Sequence, residues 1–373
     1  MQSPRNPAAP WRHMDLTLLL STLGIALMGV LMVYSATRQK QETAGLDPAF
    51  FLKRQAVYLL LGLVIMAATS LIDYRHIRDY VPFIYGGAVL TLLLVISPLG
   101  ASRRGTQAWF QLGPFQFQPS EVAKIALILA LAAVLAGARG HLETGGLLTA
   151  LGISVPPMAL IYVQPDLGTN MVFVAVVIAV VLVAGARPRH IAVLTLLGIT
   201  AIALVVELGM LQDYQRDRLT AFLDPQTDSQ RSSYNLRQSQ IAIAAGGVAG
   251  RGLFQGTQTN LSFVPEQHTD FIFTAVGEEL GFIGGFMLLG LFGVMVWRIW
   301  RAAVLARDQF GRLVCVGVLA MLVFQIFENV GMTMGITPIT GIPLPFMSYG
   351  GSAMIASFAG VGLVLNVYMR RFS

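Results

Sequence analysis

Apolar residues run along this chain in long blocks separated by polar breaks. Blocks of spanning length fall at 15–36, 52–72, 80–98, 119–137, 147–163, 167–185, 189–209, 271–297, 312–334 and 347–369. A helix needs about 20 apolar residues to cross a bilayer, so the pattern predicts an all-α polytopic membrane protein with about ten transmembrane helices. The 147–163 block is short and contains Pro156 and Pro157, which predicts an interrupted helix. Between the seventh and eighth blocks lies 210–270, a stretch too long for a mere connector. Its first part, 213–233, is charged and polar. The part after it, YNLRQSQIAIAAGGVAGRG at 234–252, is expected to be partly helical and to lie in the interface or re-enter the protein. Gly246, Gly247, Gly250 and Gly252 suit close backbone approach there. Residues 1–373 read as a single domain containing this one large loop.

Composition agrees. Of 373 residues 55% are hydrophobic and 12% charged, and the mean hydropathy is +0.67, far more apolar than a soluble domain. The net charge of +6 does not point to nucleic acid, because the basic residues are scattered between apolar runs rather than gathered on one face. Cys315 is the sole cysteine, which excludes an internal disulfide and a thiolate metal cage. The polar, proline-rich start before a long apolar run does not resemble a cleavable signal peptide. Short-loop Lys and Arg set the orientation. With the N-terminus in the cytoplasm, one side carries Arg5, Arg12, Arg75, Arg78, Arg139, Arg187, Arg189, Arg298, Arg301, Arg307, Arg312, Arg370 and Arg371. The other side carries Arg38, Lys40, Lys53, Arg54, Arg103 and Arg104. Both termini are therefore expected in the cytoplasm. Four unusual segments then meet the outer face: 100–118, the turn at 163–168, the large loop, and 337–352.

The residues able to carry chemistry gather in those segments. Asp270 stands where a polar loop enters the eighth helix, and an ionisable residue at membrane depth is a functional candidate. It reads either as a helix cap or as a general base at the mouth of an apolar cavity. Glu278 and Glu279, about two turns deeper, are adjacent and so point to different helix faces. At least one should face the interior. Glu121 and Lys124 are three apart and share a face; the ordinary reading is an internal ion pair, the alternative an anion site. Asp166 reads equally as a cap or as a lining of the outer cavity. Arg54, beside Lys53, either snorkels or meets an anionic headgroup or pyrophosphate. His268 lies in the Asp270 segment, but the five histidines show no metal-ligand spacing. Ser348 lies in a segment without a histidine, and His268 alone makes no triad. P-loop and Rossmann fingerprints are missing, so nucleotide cofactors find no support.

Six ordered stretches identify a family. FLKRQ at 51–55, FQPSEVAKI at 117–125, QPDLGT at 164–169, SYNLRQSQIAIAAGGVAGRG at 233–252, FVPEQHTDFIFTAVGEELGF at 263–282 and GITPITGIPLPFMSYGGS at 335–352 resemble the SEDS proteins of shape, elongation, division and sporulation. The last stretch resembles the RodA-like elongation members more than the FtsW-like division members. The resemblance implies a ten-helix peptidoglycan glycosyltransferase in the bacterial cytoplasmic (inner) membrane that polymerises lipid II into glycan strands at its outer face. It also implies a class B penicillin-binding protein, a transpeptidase, as partner. The family's essential aspartate corresponds to Asp270, its paired Glu and Lys to Glu121 and Lys124, its Asp after Gln-Pro to Asp166, and its outer Arg to Arg54. Glu278, Glu279, His268 and Ser348 are supporting candidates. Positive charge for a leaving pyrophosphate would come from Arg54, Lys124 or a divalent cation, Mg²⁺ or Mn²⁺. A lipid II flippase is the competing class, since many helices and a Pro/Gly-broken segment also suit a transporter.

Overall fold

A computed structural model describes residues 13–103, 106–113, 115–137, 141–207, 209, 215–216, 218, 222 and 231–372. Most of the polar 213–233 stretch lies outside these residues, as do Arg5, Arg12, Arg104 and Arg139. Ten long helices stand where the apolar blocks are. They are α1 (Leu16–Thr43), α2 (Phe50–Leu71), α3 (Tyr74–Ile96), α4 (Pro119–Leu135), α5 (Thr144–Val163), α6 (Leu167–Val183) and α7 (Pro188–Glu207), then, after α8 (Arg231–Gly246) and the short α9 (Thr257–Asn260), α10 (Ile272–Val304), α11 (Gln309–Met334) and α12 (Gly351–Met369). Among the described residues seven of these, α1, α2, α3, α5, α10, α11 and α12, are long and apolar enough to cross a membrane, and α6 is apolar but shorter. The chain is a multi-pass membrane protein.

Local chemistry sets the helix ends. Asp15, Asp73, Asp166 and Asp308 each accept a backbone N–H in the first turn of the helix they precede, satisfying donors that no carbonyl of the helix can reach. Pro119 occupies the first turn of α4, where its missing N–H costs nothing. The prolines of α5 do not interrupt it. Pro157 removes the donor that Ile153 O would have taken, and Tyr85 Oη donates to that carbonyl instead at 2.6 Å. A neighbouring helix thus repairs the bond that proline breaks.

Polar ties mark the two ends of the bundle. Arg298 Nε, late in α10, donates to Asp15 at 2.7 Å and its Nη2 to Tyr368 Oη at 3.3 Å. These bonds gather the start of α1 and the ends of α10 and α12. Beside them, Asn366 and Arg370 cap the last turn of α2: Asn366 Nδ2 donates to Thr69 O at 2.6 Å, and Arg370 to Ser70 O and Leu71 O at 3.1 and 2.7 Å. The start of α1 and the end of α12 therefore lie at one end of the bundle. Helices α4, α11 and α12 form its interior, and α2 lies along α12 where small residues allow it: a side chain on Gly62 would strike the Phe358 ring at 2.3 Å.

At the opposite end the 100–118 segment forms a small antiparallel sheet, β1 (Ala101–Arg103), β2 (Thr106–Leu112) and β3 (Phe115–Phe117), in the order β1-β2-β3. Phe110 pairs with Phe117 and Leu112 with Phe115. Ser352 Oγ accepts from Gln118 N at 2.9 Å, tying the exit of this sheet to the start of α12.

The large loop re-enters the protein. Helix α10 is broken at Gly281, where φ is +65° and ψ −161°. The break leaves carbonyls and N–H groups without partners inside the bundle, and 247–252 supplies them. Arg251 N and Gly252 N donate to Glu278 O and Glu279 O, both at 3.0 Å, while Phe282 N and Ile283 N donate to Gly247 O and Val248 O at 2.9 and 3.1 Å. Backbone lies on backbone so closely that a Cβ on Gly246 would sit 1.9 Å from Gly277 O. Small residues are what permit this approach, and the partial helix expected at 234–252 is α8.

Candidate active site

Asp270 closes a tight turn. Glu266 O accepts from Thr269 N, Thr269 Oγ1 and Asp270 N at 3.1, 3.0 and 3.2 Å. The N-cap position of α10 falls one residue later, on Phe271, so Asp270 stands just ahead of the helix and is half-buried. Its carbonyl accepts from Asn329 Nδ2 at 2.8 Å. Its carboxylate faces the 337–350 segment: a Cβ built on Gly341 would lie 3.4 Å from Asp270 Oδ2. Gly341 has φ +79°, in the left-handed region that glycine tolerates best. The Arg218 guanidinium comes within 4.0 Å of that same point and donates to Thr340 O at 3.0 Å. A carboxylate and a guanidinium thus converge on one turn of backbone.

The aromatic wall beside Asp270 comes from α2 and the start of α12. His268 accepts a backbone bond from Tyr349 N at 2.8 Å. The Phe51 ring lies 5.0 Å from the rings of both His268 and Tyr349, and Tyr58 lies 5.8 Å from Tyr349. On the same helix Gln55 Nε2 donates to Ser348 O at 3.1 Å, and Ser348 Oγ accepts from Leu344 N at 2.8 Å. Ser348 is buried and folds its own loop. Arg54 is half-buried and stacks on the Phe50 ring at 4.4 Å. Of the candidate residues, then, Asp270, His268, Arg54 and Ser348 are drawn to one end of the bundle.

The other candidates serve neighbouring structure. Asp166 caps α6, accepting from Thr169 N and Oγ1 at 2.9 and 2.7 Å. That cap seats Gly168 against Thr340 O and Ile342, so it braces the backbone that faces Asp270. Glu121 and Lys124 form an ion pair at 2.8 Å with side chains 4% and 2% exposed. Glu278 is fully buried and accepts from Gln258 N, Thr259 N and Thr259 Oγ1 at 2.7, 2.9 and 2.7 Å, holding the first turn of α9. Glu279, also fully buried, accepts from Ser35 Oγ at 2.6 Å and Phe254 N at 3.1 Å. The adjacent pair points two ways, and both carboxylates bind the loop to the bundle. From Glu278 the bonds continue through Thr259 Oγ1 to Gln267 Nε2 at 2.9 Å, three residues before Asp270.

Sequence reasoning missed Asn329, Gly341 and Arg218. Asn329 had a visible signal: Glu328-Asn329 interrupts an apolar run, and polar side chains at that depth rarely lack a task. Arg218 and Gly341 had none beyond their residue types, because their role depends on a tertiary approach. Among the described residues no three His, Cys, Asp or Glu side chains come together to hold a metal.

Comparison with known proteins places this architecture. The family model FtsW/RodA/SpoVE, described as "Cell cycle protein", matches residues 15–372. The chain is 38% identical over 359 residues to a probable peptidoglycan glycosyltransferase FtsW of Geobacter metallireducens, covering 95% of each. To peptidoglycan glycosyltransferase MrdB of Escherichia coli it is 37% identical, covering 96% of this chain and 94% of that one. A solved structure described as structural coordination of polymerization and crosslinking by a peptidoglycan synthase complex superimposes with a TM-score of 0.81 at 36% identity, covering 96% and 99% of the two chains. Rod shape determining protein RodA of Thermus thermophilus gives 0.73 at 32% identity, covering 97% and 99%. Fold, length and the ordered motifs agree, and the chain belongs to the FtsW/RodA/SpoVE family.

Proposed function

We propose that this protein is a peptidoglycan glycosyltransferase that polymerises lipid II, with Asp270 as its general base. The observation that carries the assignment of Asp270 is its placement. Asp270 is half-buried at the end of the bundle away from the start of α1 and the end of α12, its backbone carbonyl held by Asn329 and its carboxylate facing Gly341. Asp270 takes the proton from the 4-hydroxyl of the acceptor sugar as that oxygen attacks the anomeric carbon of the donor strand. The bond from that carbon to the undecaprenyl pyrophosphate breaks, and the configuration inverts. Positioning and charge neutralisation are what the protein has to supply. Of the two cations singled out in the sequence, Lys124 is committed to Glu121 inside the bundle. Arg54 is half-buried beside the aromatic wall and is the one we assign to the pyrophosphate.

The described residues do not build a metal cage. A divalent cation, Mg²⁺ or Mn²⁺, would enter on the substrate's pyrophosphate and supply positive charge as it leaves. We place the protein in the bacterial cytoplasmic membrane with both termini inside. The shared end of the bundle at which α1 begins and α12 ends, and the Arg-rich loops on that side, support this. A class B penicillin-binding protein is the proposed partner, supported by the synthase complex among the similar structures. Assignment to elongation and shape maintenance rests on the RodA-like 335–352 stretch.

Purified protein in proteoliposomes with fluorescent lipid II, with and without Mg²⁺ or Mn²⁺ and the transpeptidase, tests the reading. Glycan ladders on a gel are expected. Movement of lipid II across the bilayer without lengthening would instead establish the flippase.

A further inference from the structure

We propose that Asn329 is a positioning residue that locks Asp270 to the 337–350 segment; this rests on the reading of Asp270 as the base. Asn329 lies in α11 and is fully buried. Its Nδ2 donates to Asp270 O and to Ile342 O, each at 2.8 Å. Both hydrogens of one amide group are therefore committed, and to two different segments. Neither accepting residue belongs to a helix or strand, so neither is held there by a regular ladder. The reverse orientation of the amide would set its oxygen against two carbonyl oxygens, which fixes the assignment.

This geometry makes one side chain the hinge pin of the site. Ile342 follows Gly341, the residue that faces the Asp270 carboxylate at contact distance. Asp270 N is held on its other side by Glu266 O at 3.2 Å. With its backbone fixed at both N–H and carbonyl, Asp270 retains only its side-chain torsions, and its distance from Gly341 is set by a rigid helix. Without the two donors, two carbonyls inside the protein lose their partners, and the two walls of the site are free to separate. A displacement of about 1 Å at a reacting group is enough to cost a rate of about 100-fold.

The test uses full-length protein carrying Asn329→Leu, close in size with no donor, and Asn329→Ser, smaller and with one donor. Polymerisation kinetics and amide hydrogen exchange are measured on each. The expected result is a kcat lower by about 10- to 100-fold with KM for lipid II within about twofold of wild type. Exchange should rise by at least about tenfold in 266–272 and 339–347 and stay unchanged in α4 and α12. Asn329→Ser should lie between wild type and Asn329→Leu. A folded variant with wild-type kcat, or with unaltered exchange in both segments, overturns the proposal. So does loss of folding in both variants, which would make Asn329 a support of the whole bundle. If wild type itself makes no polymer, the reading of Asp270 fails, and the exchange measurement decides the tether alone.

Discussion

Asp270 and Gly341 face each other at contact distance: a methyl group on Gly341 would lie 3.4 Å from Asp270 Oδ2, and Gly341 holds φ at +79°. The first glycine after the α11 cap is thus the floor on which the carboxylate rests. Gly341→Ala should impose about 1–2 kcal/mol of left-handed backbone strain and press a methyl group toward the carboxylate. A fall in kcat of about tenfold is expected, with a melting temperature only a few degrees lower. Wild-type turnover in a folded Gly341→Ala protein would show that the contact does not matter.

Glu278 supports the loop rather than the chemistry. It is fully buried and accepts two backbone N–H groups and the Thr259 hydroxyl. Glu278→Ala would orphan these donors together, at a cost of about 3 kcal/mol or more. Thermal melting in detergent should drop clearly, and limited proteolysis should begin to cut within 247–262. An unchanged melt with an intact loop would contradict the anchoring role.

The Glu121–Lys124 pair gives a test with opposite signs. Its side chains are 4% and 2% exposed, so removing either partner strands a buried charge at a cost of about 3–5 kcal/mol. Lys124→Met and Glu121→Leu should each melt far below wild type. The double variant, with both charges gone, should recover most of the loss, because a buried pair exchanged for apolar residues of similar size is often nearly neutral. Singles as stable as wild type would mean that the pair is not buried as described.

Most of the architecture was legible because a bilayer leaves few choices. The ten apolar blocks became ten helices among the described residues, with α1 and α10 longer because each continues as helix through polar turns beyond its apolar block. The double proline at 156–157 misled, since Tyr85, distant in sequence, restores the lost bond. The 100–118 strands were hidden in a stretch of mixed Gln and aromatic residues; the alternation around Gly113 was the signal. Adjacent glutamates at 278–279 were expected on different faces, and they are, but which carboxylate met which loop residue depended on the break at Gly281. The place of Asp270, where a polar loop enters the eighth apolar block, was legible in the sequence. Its neighbours Asn329, Gly341 and Arg218 were not, because they approach it only after α11 and the following segment fold back.

The most direct measurement is glycan synthesis from lipid II by purified wild type and Asp270→Ala, run side by side with the partner present and with melting curves for both. Polymer from wild type and none from a variant that melts at the same temperature is the expected result. Polymer of normal length from well-folded Asp270→Ala would contradict the assignment of Asp270 as the base.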